Sequence, residues 1–144
     1  MGLTIRVKSK NASAKSIDMG GGGFLRLRNR VAKLYVEPWA SHYATLVETS
    51  HTFDSEDFYD DFDKKTEKLL QEKKVSPKIV DFCLQSDISG SIRYGACKEI
   101  LKAIGDYDDN ICYGYAGRSD CAMFRDFKAI LEDCARLKCD MVWD

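Results

Sequence analysis

"SIDMGGGGFLRLRNRVAKL" (Ser16 to Leu34) sets four consecutive glycines directly in front of a segment patterned as a helix. Beyond the glycines, Phe24, Leu27, Val31, Leu34 and Tyr35 recur on one helical face, while Arg26, Arg30 and Lys33 lie mostly away from it. The glycines leave alternatives open. Their N–H groups can converge on an anion, helped by the positive end of the following helix. Gly20, Gly21, Gly22 and Gly23 would then form the cradle, and Arg26, Arg28 and Arg30 would offer guanidinium forks to phosphate oxygens. However, no Gly-Lys-Ser/Thr follows as in a Walker A loop, and no complete strand, G-x-G-x-x-G turn and helix unit with a downstream acid is present. Leu25 and Leu27 alternate with the arginines, so the three guanidinium groups cannot share one direction. The other readings are a pliable contact loop and a plain structural lead into the helix.

Upstream, Leu3, Ile5 and Val7 alternate with Thr4 and Arg6, the period-2 pattern of a half-buried strand, and "NASAKS" reads as a loop. Downstream, Glu37-Pro38 interrupts the first helix and a second starts at Pro38, with Trp39, Tyr43, Leu46 and Val47 inward. The acidic segment from Asp54 carries Phe58, Phe62, Thr66, Leu69 and Leu70 at helical spacing. Ser76-Pro77 is a helix start, with Ile79, Val80, Cys83 and Leu84 as the inward stripe. "SDISGS" (Ser86 to Ser91) reads as a turn. A further helix begins at Tyr94 or Gly95 and runs to a C-terminal cap at Gly105. "ICYGY" (Ile111 to Tyr115) reads as a short strand. Cys121 to Leu137 reads as the last helix, capped by Ser119 or Asp120, and "DMVWD" as a terminal strand.

With 144 residues, 44% of them hydrophobic, and only two prolines, the chain can bury a core without disulfide or metal staples. The expectation is one α+β domain over residues 1–144. About five helices pack on a small sheet made from the N-terminal strand, Ile111 to Tyr115 and the C-terminal strand.

The net charge of −1 conceals a segregation. Residues 1–36 carry eight Lys/Arg against one acid, and residues 37–63 carry eight acids and no Lys/Arg. Either the two segments face each other or they form separate charged faces for partners. Asp54, Glu56, Asp57, Asp60 and Asp61 would be the partner-binding carboxylates of the acidic face. A structural account of the same residues is also available, since acids early and lysines late suit the helix dipole, with Asp60–Lys64 and Asp61–Lys65 as i, i+4 pairs. The isoelectric point of about 6.1 argues against nucleic-acid binding.

No metal and no cofactor are expected. The six cysteines form no C-x-x-C pair, and Cys83, Cys97 and Cys134 fall on apolar helical positions as small hydrophobes. In "SDISGS" the first and twelfth positions of an EF-hand reading are Gln85 and Ala96, so the bidentate carboxylate is missing. "DYDDN" (Asp106 to Asn110) reads as a polar loop. Only His42 and His51 could serve as imidazole bases, and neither is tied to a thiol by the sequence, so no catalytic residues are assigned. No run nears the roughly 18 apolar residues of a membrane span, and no signal core opens the chain, which leads us to expect no membrane association and a cytoplasmic location.

The segments "SIDMGGGGFLRLRNRVAKL" and "YDDNICYGYAGRSDCAMFRDFKAILEDCARLKCDMVW" resemble a small uncharacterised protein family of phages and prophages of Gram-positive bacteria. The resemblance implies an accessory role inside a bacterial host cell, with inhibition of a host defence protein as a leading form. It carries over no functional residues. The reading that follows is a non-enzymatic binding protein that contacts a host protein. The alternative is a sponge for a phosphorylated small molecule or nucleotide signal at Gly20–Gly23 and the arginines.

Overall fold

The alternation of Leu3, Ile5 and Val7 builds strand β1 (Gly2–Val7). The computed structural model describes residues 2–9, 15–49, 56–115 and 121–144 and gives this strand a partner on each side. β2 (Ser16–Gly20) lies antiparallel to it with Leu3 opposite Met19 and Ile5 opposite Ile17. On the other side, β4 (Met141–Trp143) sets Trp143 opposite Ile5 and Met141 opposite Val7. β3 (Gly90–Ile92) completes the order β2-β1-β4-β3, with Ile92 opposite Met141. This register gathers Leu3, Ile5, Val7, Ile17, Met19, Ile92, Met141 and Trp143 on one face, and all are buried. The other face is polar. There Thr4 Oγ1 donates to Asp18 Oδ1 at 2.7 Å and Arg6 pairs with Asp144.

Six helices accompany the sheet: α1 (Gly21–Tyr35), α2 (Glu37–Thr49), α3 (Glu56–Gln71), α4 (Pro77–Leu84), α5 (Tyr94–Ile104) and α6 (Phe124–Leu137). α6 packs on β1, β2 and β4. α1 joins α2, α4 and α5 to the same core, while α3 docks mainly on α2. At the centre, the Trp143 ring meets Phe24 at 5.3 Å and Phe82 at 5.9 Å, and Phe82 stacks on Phe127 at 5.9 Å. Phe24 and Phe82, from two helices, thus bear on one strand residue, and Phe127 from a third helix backs Phe82, apolar burial of the kind that holds such a domain together. The molecule is an α+β domain whose sheet includes the N- and C-terminal strands, as expected.

Four local expectations change. Ser16–Gly20 is a strand, and the chain passes from Gly20, which caps α1 in extended conformation, into helix at Gly21 with no loop between. Gly90–Ile92 is a strand rather than part of a turn, because β4 offers it an unpaired edge. Ile111 to Tyr115 is not a member of the sheet. Its only ladder contact among the described residues is an isolated bridge from Cys112 to Met123, since Tyr113 packs against α1 and Phe124. Finally, α6 begins at Phe124, where the Asp126 carboxylate accepts the Met123 N–H at 2.9 Å. The expected caps Ser119 and Asp120 lie outside the described residues.

Candidate functional site

On a helix, residues three, four and seven apart share a face, so Arg26, Asn29, Arg30 and Lys33 form one row along α1. The segment between α5 and α6 closes over this row. Tyr113 lies under Arg26, with the guanidinium carbon 6.0 Å from the ring centre, and Tyr107 lies under Arg30 at 5.5 Å. Asp109 fixes both rings, its Oδ2 accepting the Tyr113 hydroxyl at 2.7 Å and the Tyr107 hydroxyl at 3.2 Å, while its Oδ1 accepts the Ile111 N–H at 3.0 Å. Burial and the Asp109 carboxylate both push the Tyr113 phenol far above its ordinary range, so it remains a neutral donor at any physiological pH. The result is a dent of about 210 Å³ walled by Arg26, Asn29, Arg30, Lys33, Ile111 and Tyr113. Among the described residues no carboxylate pairs with Arg26, Arg30 or Lys33. The Asn29 Oδ1 is buried without a hydrogen-bond donor.

Arg28 points elsewhere. Two residues from Arg26, it turns inward, is 5% exposed, and stacks its guanidinium 4.3 Å above the Phe24 ring. Its Nη1 donates to the carbonyls of Gln85 at 2.6 Å and Phe82 at 3.3 Å, at the C-terminus of α4, where the helix dipole is negative. Arg28 therefore does not join Arg26 and Arg30. The glycines form no open loop, since Gly21, Gly22 and Gly23 are the first turn of α1. A Cβ added to Gly21 would lie 3.1 Å from Asp87 Oδ2, so a carboxylate of the chain itself already stands at that turn.

The acidic face lies on α3. Glu56, Asp57, Asp60 and Asp61 are all exposed, and neither the Asp60–Lys64 nor the Asp61–Lys65 pair closes to ion-pair distance. Asp54 lies outside the described residues. No ion pair among the described residues joins the basic N-terminal segment to this acidic one. Instead, Arg6 reaches Asp144 and Lys15 reaches Asp126.

α3 is held through His42. Thr66 Oγ1 donates to the Phe62 carbonyl at 2.9 Å, so it must accept from His42 Nε2–H, 2.7 Å away, which fixes the tautomer. The imidazole is buried, stacked 4.0 Å from the Phe62 ring, and burial followed by the nearby Lys65 charge lowers its pKa. A histidine whose folded pKa is depressed contributes its full stability above the unfolded value of about 6.5 and loses it as pH falls toward the folded value. Stability measured by urea denaturation is therefore expected to drop between pH 7.5 and pH 5.5, with His42→Phe removing that component. Thr66 keeps its Phe62 partner in the variant, so an unchanged pH profile would refute the assignment.

The remaining candidate chemistry is structural. The Gln85 carboxamide closes the Ser86–Ser91 segment by accepting the Ser91 N–H at 3.0 Å and donating to its carbonyl at 2.7 Å. In the 106–110 loop, Asp109 serves the tyrosines and Asp108 pairs with Arg125. Cys83, Cys97 and Cys134 are buried, and burial pushes the Cys83 thiol up to about 12. Among the described residues no cluster of three or more His, Cys, Asp or Glu could hold a metal ion, and no helix is long and apolar enough to cross a membrane. His51 lies outside the described residues.

No protein-family model matches the chain, and no curated protein or solved structure proves similar to it. The tyrosine braces of the α1 row, Tyr107 and Tyr113, were missed in the sequence. Their separation from Arg26 and Arg30 by some eighty residues left no local signal.

Proposed function

We propose that this protein works by holding a protein partner, with the Arg26–Arg30–Lys33 row over Tyr107 and Tyr113 as its principal contact surface. The observation that carries this reading is a row of cations without ion pairs, fixed on an aromatic floor. Arginine and tyrosine dominate the energetically important positions of protein interfaces, because both bring large contact area and directed polar groups. Size decides between protein and small molecule. A dent of about 210 Å³ is below the roughly 300–1,000 Å³ of small-molecule sites, but it suits one acidic side chain of a larger surface. An acidic partner group would meet Arg26 and Arg30, and a neighbouring donor would satisfy Asn29 Oδ1. The resemblance to a phage protein family makes a host defence protein the partner to look for, and inhibition by direct contact the consequence.

The exposed carboxylates Glu56, Asp57, Asp60 and Asp61 support a second contact surface, for a basic region of the same or another partner. The glycine-cradle sponge has less support, since Gly21 faces Asp87 and Arg28 is committed to α4.

The test is capture from a bacterial lysate followed by titration of the purified captured protein. Arg26→Glu with Arg30→Glu is expected to weaken binding at least tenfold while leaving the melting temperature within a degree or two. Wild-type binding is expected to weaken with added salt. Binding that survives charge reversal on α1, or turnover of a substrate by the purified chain, would overturn the reading.

A further inference from the structure

A second concavity, about 630 Å³, opens where α4, β3 and the first turn of α5 meet, three times the volume of the α1 dent and within the range of small-molecule sites. Its charges come from three separate places. Lys78 lies on α4, Arg93 stands between β3 and α5, and Lys98 lies on α5 with its ammonium 5.4 Å from the Tyr94 ring centre. None of the three is ion-paired among the described residues. The one carboxylate of the wall, Asp81, is tied to Gln85 Nε2 at 2.7 Å rather than to a cation.

Three cations line one cavity at the positive end of a helix, where carboxylates are favoured and ammonium groups are not. The first turn of α5 contains no acid, and Arg93 occupies the cap without a side-chain hydrogen bond. Gly95 lets Lys78 close in, because a Cβ there would lie 3.1 Å from Lys78 Nζ, and its lack lets the ammonium settle onto that turn. A cavity lined by cations that make no ion pair suits an anion inside it. Ile92 and Tyr94 supply an apolar wall, and Asp81 and Ser91 supply acceptors for hydroxyl groups.

We propose that this cavity binds a phosphorylated small molecule of nucleotide size, its phosphate oxygens against Lys78, Arg93 and the Tyr94 and Gly95 N–H groups, its hydroxylated part toward Asp81. The site is independent of the α1 row, and the capture of a protein there neither requires nor excludes it.

Isothermal titration at low ionic strength with ADP and, separately, inorganic pyrophosphate tests this on wild type and two double variants. ADP is expected to bind one per chain and more tightly than pyrophosphate. Lys78→Gln with Arg93→Gln is expected to weaken ADP at least tenfold, whereas Arg26→Gln with Arg30→Gln leaves it unchanged. Lys78 and Arg93 are exposed, so the variant folds. Its melting temperature without ligand is expected to equal or exceed that of wild type, because fewer cations then stand at the positive end of α5, and ADP no longer raises it. Asp81→Asn is expected to tighten pyrophosphate and to narrow the preference for ADP. Failure of both probes to bind at millimolar concentration, equal loss in the α1 variant, or a lower melting temperature in the Lys78/Arg93 variant would each overturn the proposal.

Discussion

Gly23→Ala is expected to cost about 3 kcal/mol or more, enough to leave much of the protein unfolded, while Gly22→Ala one residue earlier is expected to be neutral or to stabilise by up to about 1 kcal/mol. The difference is one of space. A Cβ on Gly23 would overlap the Tyr113 carbonyl oxygen and lie 3.5 Å from Met19 Cβ, whereas one on Gly22 would meet nothing within 4 Å. The helix cannot step back, because Gly23 is followed by Phe24 and Leu27 in the core. Tyr113 cannot yield either, since its hydroxyl is bonded to Asp109 and its N–H to the Ala122 carbonyl at 3.1 Å. Urea denaturation of the two variants decides the matter. Equal stability would mean that α1 and the 107–115 segment do not press together as described, and the tyrosine floor of the contact row would go with that. If instead Gly22→Ala left stability intact but abolished binding of a phosphate probe, the glycines would be a cradle after all.

That contrast also shows which parts of the molecule were legible. β1 could be read because its apolar residues alternate, and β4 because Met141, Val142 and Trp143 form a short apolar run between two aspartates. The helices could be read because their apolar stripes repeat. β2 was hidden because only Ile17 and Met19 carry its pattern, and the glycines beside them resemble a loop in sequence while serving as a strand end and a helix turn. β3 has a single inward residue, Ile92, and exists by virtue of the partner edge. Ile111 to Tyr115 has strand composition, yet tertiary packing drew Tyr113 to α1, where context overrides propensity. The same division holds at the sites. The shared face of Arg26 and Arg30 follows from helix periodicity. The gathering of Lys78, Arg93 and Lys98 depends on how α4 meets α5, which no spacing encodes.

Arg28 is the residue whose role sequence could least reveal, and its substitution is the second large effect. Arg28→Ala is expected to cost about 3 kcal/mol, against no more than about 0.5 kcal/mol for Arg26→Ala on the exposed side of the same helix. Removing the guanidinium leaves the Phe82 and Gln85 carbonyls at the end of α4 without their donor and uncovers the Phe24 ring. Hydrogen bonds from a charged donor contribute more than neutral ones, and carbonyls left buried carry a desolvation cost of their own. Tyr43 cannot substitute, because its hydroxyl already serves the Cys83 carbonyl at 3.1 Å. Arg28→Lys is expected to recover only part of the loss, since a single ammonium cannot both lie flat on Phe24 and reach the two carbonyls. The three variants are compared by urea denaturation, with far-UV circular dichroism to confirm the fold. Similar stabilities for Arg28→Ala and Arg26→Ala would contradict the α4 cap. Loss of anion binding in Arg28→Ala with stability intact would return Arg28 to the phosphate-binding set beside Arg26 and Arg30.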